Sequence, residues 1–134
     1  MEHFFWGDTR DRNLGLLLLR VFAGAAMLTH GIPKMFGGLE KFTGFVASLH
    51  IPMPKVMALL AALAESLGAF LLLIGLGTRL ASLMLIATMS VAAFIALNGK
   101  PFGERELALF YFFTSWLFLL KGGGMWSIDA LIKR

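Results

Sequence analysis

The stretch from Val56 to Leu76 is almost wholly apolar and carries one charged residue near its centre, Glu65. At a rise of ~1.5 Å per residue a helix of this length crosses a hydrocarbon layer about 30 Å thick, and it would carry Glu65 to mid-depth. A charge there costs at least ~2.5 kcal/mol on insertion scales, so the carboxylate is expected to be protonated, paired, or turned towards water or a ligand. The alternative without chemistry is an ion pair that holds two helices in register.

The whole 134-residue chain is of the same kind, 58% hydrophobic and 15% charged, too poor in polar residues to cover a soluble domain. There is room for about four spans with short connections, hence one domain over residues 1–134 and no soluble catalytic module. The chain contains no cysteine, which excludes disulfides, thiol redox chemistry, iron-sulfur ligation and thiolate zinc sites. Its net charge of +4 comes from Lys and Arg residues scattered at helix ends rather than gathered in a stripe, which fits lipid head groups and not nucleic acid. No cleavable leader is evident at Met1-Glu-His-Phe-Phe-Trp-Gly-Asp8, so the first helix is expected to serve as its own insertion signal.

The spans are expected at about 14–34, 56–76, 80–97 and 105–121. Phe4, Phe5 and Trp6 suit a membrane interface. In the first span Arg20, Met27, His30 and Lys34 fall within an arc of roughly 80°, a face that should point into the protein. Pro33 and the pair Gly37-Gly38 are expected to break or kink that helix. Leu39, Phe42, Phe45, Val46 and Leu49 then recur at helical spacing on a segment too short and polar to span, which reads as an amphipathic helix at the interface or over the bundle. Pro52 and Pro54 stiffen the turn into the second span. Ala61, Ala62, Ala64, Gly68 and Ala69 of the second span, with the Ala- and Ser-rich third, offer surfaces for close helix approach. The fourth span is aromatic, and near the end Ser127 suits an N-cap and Asp129 the first turn of a short helix. Six Lys and Arg residues fall on the side of the termini and five on the other, with Arg20 nearer the first, which places both termini in the cytoplasm.

Counted inwards from the same surface, Arg20 lies about 10 Å deep and Glu65 about 15 Å, so the two are expected to meet as a buried ion pair. His30 and Lys34 lie towards the mouth of that site, and Asn98, in the loop after the third span, could reach back into it. His30 could hydrogen-bond a carbonyl such as that of a quinone, but with Glu65 alone it would under-coordinate a metal, and no metal site is expected. No phosphate-binding glycine loop or nucleophile constellation is present.

Several short motifs recur together: Leu19-Arg20-Val21, His30-Gly31-x-x-Lys34, Pro52-x-Pro54, Glu65-x-x-Gly68, Gly75-Leu-Gly77-Thr78-Arg79 and Gly124-x-x-Ser127-x-Asp129. In order and spacing they resemble the DoxX family of small four-helix bacterial membrane proteins, from about Leu14 to Leu131. Two departures are Gly68-Ala69, where the family commonly has Gly-Gly, and Asn98, where it often has a histidine. The resemblance implies a multi-pass protein of the bacterial inner membrane. The family is named after a small subunit of a terminal quinol oxidase, is related to thiosulfate:quinone oxidoreductase subunits, and is linked to membrane oxidoreductase complexes in oxidative-stress defence.

Together these readings predict an all-α, four-transmembrane-helix bundle with a short amphipathic interfacial helix between helices 1 and 2. The candidate ligand-binding residues are Arg20, His30, Lys34, Glu65 and Asn98, and the candidate ion pair is Arg20 with Glu65. The preferred function is a membrane subunit that binds quinone or another lipophile and supports an oxidoreductase complex. No redox centre is visible in the chain, so a soluble oxidoreductase partner subunit would supply it. Lipids are expected partners, a homo-oligomer is compatible, and no covalent cofactor is expected. The rival readings are a small-molecule or lipid transporter using the buried charges, and a non-catalytic membrane anchor.

Overall fold

The computed structural model describes residues 9–132, and every regular element among them is a helix. The sequence reading for Phe4, Phe5 and Trp6 falls outside the described residues. Helix α1 runs over Thr9–Met35, α2 over Leu39–Ser48, α3 over Pro54–Ile74, α4 over Thr78–Ala96, α5 over Phe102–Lys121 and α6 over Ile128–Ile132. Three segments, Asn13–Met35, Pro54–Ile74 and Thr78–Ala96, are long and apolar enough to cross a membrane. The 20-residue α5 is as long, but Glu104, Arg105 and Glu106 sit in its first turns and Lys121 in its last.

Helix α1 does not break at Pro33. Pro33 leaves the Thr29 carbonyl without its helical donor, yet only the last turn follows it and the helix continues to Met35. It ends at Gly37, whose φ of 103° is open only to residues without a β-carbon at low cost, and the Gly38 N–H donates to the Pro33 carbonyl at 3.0 Å. The α2–α3 turn contains the only two non-glycine residues with positive φ among the described residues, His50 at 60° and Met53 at 52°. Pro54 opens α3, a position where a proline needs no donor.

The core lies where α1, α3, α4 and α5 meet, around Ala23, Met27, Leu72, Leu85, Met89 and Phe118. Helices α1 and α3 run antiparallel and touch backbone to backbone. A β-carbon on Gly24 would come within 2.9 Å of the Ala69 carbonyl oxygen and the Leu73 Cα, and one on Gly31 would collide with the Glu65 carbonyl group. Small residues allow such approach, and the dispersion gained replaces a hydrophobic drive that is absent in lipid. The contact also sets the frame: Gly31 is level with Glu65, in the middle of α3, so α1 ends a few residues further on. The first half of α3 packs chiefly against α2.

Two helices carry a π turn, α3 at Ala64–Gly68 and α4 at Ala92–Ala96. A π turn shifts the hydrogen-bond ladder and leaves a carbonyl to find another partner. In α4 the Ala93 carbonyl accepts from Arg105 Nε at 3.1 Å, and this ties the end of α4 to the start of α5.

Candidate functional site

Glu65 sits in the π turn of α3, with its side chain 5% exposed. Its Oε2 accepts a hydrogen bond from Lys34 Nζ at 2.6 Å. Lys34 belongs to the last turn of α1, and the close approach at Gly31 brings that turn within reach of Glu65. The ammonium also lies 4.6 Å from the centroid of the Phe42 ring, on α2. It is therefore held on one side by a carboxylate and on another by an aromatic face, a site that attracts cations electrostatically.

The pair closes one end of a cavity of about 400 Å³ between α2, α3 and α4. From α2 come Phe42, Phe45 and Val46, from the turn after it Leu49 and Ile51, from α3 Met57, Leu60, Ala61 and Ala64, and from α4 Met84, Ala87, Thr88, Val91, Ala92 and Ala96. Beside Lys34 and Glu65 the only polar side chain in the lining is Thr88, whose hydroxyl donates to the Met84 carbonyl at 3.0 Å. An apolar chamber of this size with a few polar groups at one end is what a small-ligand site requires. Lys34 can donate to a ligand oxygen, and Glu65 can accept from a ligand hydroxyl.

The expected pairing of Arg20 with Glu65 does not occur. Arg20 is buried at the opposite end of α3, where Nη1 donates to the Gly123 carbonyl at 2.7 Å and Nη2 to the Trp126 carbonyl at 2.9 Å. With Gly31 level with Glu65, Arg20 lies about 16 Å along α1 from that carboxylate. The depth count fails because it starts α1 at the first leucine, whereas the glycine contacts with α3 set the frame. The negative charge facing Arg20 is that of Asp129. Asp129 in turn accepts from the Gly77 N–H at 2.8 Å and the Thr78 N–H at 2.9 Å, so it caps α4 from a distance in sequence. Ser127 caps α6, its hydroxyl accepting from the Ala130 N–H at 3.3 Å. Arg20 and the glycine, serine and aspartate motif near the end of the chain thus form a knot that fastens α6 to α1 and α4.

His30 does not line the cavity. It is exposed within α1, its ring edge-on to Tyr111 of α5 with centroids 6.3 Å apart. Asn98 is exposed in the α4–α5 loop, its N–H directed at the Ile95 carbonyl, and does not reach into the cavity. Of the five candidates, the structure brings together Lys34 and Glu65 alone. Sequence reasoning missed Phe42 and the alanine wall as parts of the site. The arc shared by Arg20 and Lys34 was a usable signal, because either cation could have served Glu65 and only the helix register separates them.

Residues 15–98 match the DoxX family. A Bacillus subtilis (strain 168) protein named "Putative oxidoreductase CatD" is 33% identical over 123 residues, covering 90% of this chain and 89% of its own length. An uncharacterized Haemophilus influenzae protein is 31% identical over 121 residues, covering 85% of this chain and 87% of its own. The "Inner membrane protein YphA" of Escherichia coli K12 is 35% identical over 93 residues, covering 69% of this chain and 64% of its own. No solved structure matches the chain. The matched segment takes in nearly all of α1 to α4, the elements that build the Lys34–Glu65 cavity and that carry Arg20, and the chain is a membrane protein of the DoxX family.

Proposed function

We propose that this protein is a multi-pass subunit of the bacterial inner membrane that holds a lipophilic molecule of the quinone kind between α2, α3 and α4, and so supports an oxidoreductase complex. The observation that carries the reading is the apolar cavity of about 400 Å³ ending on the Lys34–Glu65 pair. It faces a membrane phase in which such molecules dissolve, and it offers them a donor and an acceptor side by side. The Bacillus subtilis relative's name supports the oxidoreductase link, and the Escherichia coli relative's name supports the inner membrane. The redox centre would belong to a soluble partner.

Helix α5 makes the fourth span, its 20 residues rising about 30 Å with the charged groups confined to its ends. Helix α2, with 10 residues and about 15 Å, is too short to cross and lies at the interface. Four crossings put both termini on one side, and the Lys and Arg balance makes that side the cytoplasm.

The test is mass spectrometry of small molecules extracted from purified native protein and from Ala87→Phe, which fills the cavity from an exposed position on α4. A quinone or similar lipophile should accompany the native protein in near-stoichiometric amount and be lost from the variant. A folded native protein that is empty, and stays empty when offered decylubiquinone, ends the proposal.

A further inference from the structure

The cavity has two unlike walls. On α2, Phe42 and Phe45 stand one helical turn apart with ring planes 21° from parallel and centroids 6.5 Å apart. On α3 and α4, Ala61, Ala64, Ala87, Ala92 and Ala96 are interspersed with Met57, Leu60, Met84 and Val91, and the single-carbon side chains leave space between the larger ones. A cavity lined by two aromatic rings and by such small side chains can take a flat ring in van der Waals contact with both. A flexible acyl chain gains no such stacking and pays more rotational entropy to fill the same space.

The polar end restricts the head group as well. The Lys34 charge is already matched by Glu65 at 2.6 Å, and its Nζ is also drawn to the Phe42 face. An anionic head would meet the carboxylate and a cationic one the ammonium, each a like charge in a poorly solvated place. A neutral oxygen meets neither penalty. It can accept one of the ammonium hydrogens left over from Glu65, and because Nζ lies 4.6 Å from the Phe42 centroid, a ring carrying that oxygen is brought alongside the Phe42 ring.

Resting on the lipophile-binding reading above, we infer that Phe42, Phe45 and the alanine wall are the specificity-determining surface, and that the site selects a neutral, flat-ringed lipophile bearing a carbonyl or hydroxyl oxygen over an acyl-chain lipid. Lys34 donates to that oxygen, and Glu65 is the positioning residue that holds the ammonium in place.

The test compares equilibrium binding of menadione, a neutral two-ring quinone, with that of oleyl alcohol and oleate, using the full chain in detergent micelles. Phe42→Leu and Phe45→Leu retain apolar bulk while removing the flat face. The native protein should prefer menadione, and each substitution should weaken menadione about tenfold while leaving oleyl alcohol within about twofold. Oleate should bind more weakly than oleyl alcohol. If oleyl alcohol or oleate binds as tightly as menadione, or both leucine variants leave menadione unchanged, the specificity inference is overturned while the cavity keeps its role as a lipophile site. If folded native protein binds none of the three, the lipophile reading itself fails and the inference falls with it.

Discussion

Removing the Lys34 ammonium tests the centre of the structural argument. Lys34→Met keeps an unbranched stem that can pack against Phe42, but leaves Glu65, whose side chain is 5% exposed, without its partner. A buried charge stripped of its counter-charge costs roughly 3–5 kcal/mol, and the lower end applies because the Lys34 side chain is itself 32% exposed and the site is partly screened. The expected loss is about 3 kcal/mol, about 150-fold in the unfolding constant. Glu65→Leu should cost less, about 2 kcal/mol, because the freed lysine can extend towards water. The double variant carries no unpaired charge and should lie within about 1 kcal/mol of the native protein, far from the sum of about 5 kcal/mol for independent sites. The assay is reversible unfolding of all four proteins in mixed micelles by increasing sodium dodecyl sulfate. A double variant that loses the full sum, or a Lys34→Met protein within about 0.5 kcal/mol of native, would refute the pairing.

Two further outcomes follow from the helix register. Arg20→Gln and Glu65→Gln, about 16 Å apart along α1, should add within about 0.5 kcal/mol in the same unfolding assay; strong coupling between them would mean that the two charges do share a site. Gly31→Ala should cost about 1–3 kcal/mol, because its β-carbon meets the Glu65 backbone and no flexible side chain can yield, whereas Gly44→Ala in α2, with open space around it, should stabilise by about 0.5–1 kcal/mol. Equal effects at the two positions would show that α1 and α3 do not touch there.

Hydropathy and spacing determined much by themselves. A run such as Val56–Leu76 can satisfy its backbone in lipid only as a helix, so the apolar spans were legible, and their predicted ends differ from those of α3 and α4 by about two residues. The amphipathic period of Leu39, Phe42, Phe45, Val46 and Leu49 likewise marked α2, and Ser127 read correctly as a cap because its role is local. Glu65 stood out because a lone carboxylate in hydrocarbon is costly wherever its partner lies. The identity of that partner was a tertiary matter. Arg20 and Lys34 share an arc of α1 and either could neutralise a carboxylate, but side-chain reach is short, and a helix displaced by ten residues moves a charge about 15 Å. The contact of Gly31 with the Glu65 backbone fixed that displacement, giving Glu65 to Lys34 and leaving Arg20 to the carbonyls of Gly123 and Trp126. The same displacement ended α1 level with the middle of α3, so that α2 took its place beside the first half of α3 and left a cavity against α4. An empty volume belongs to no single segment; it depends on how far apart packed helices stand, and only the tertiary structure decides that.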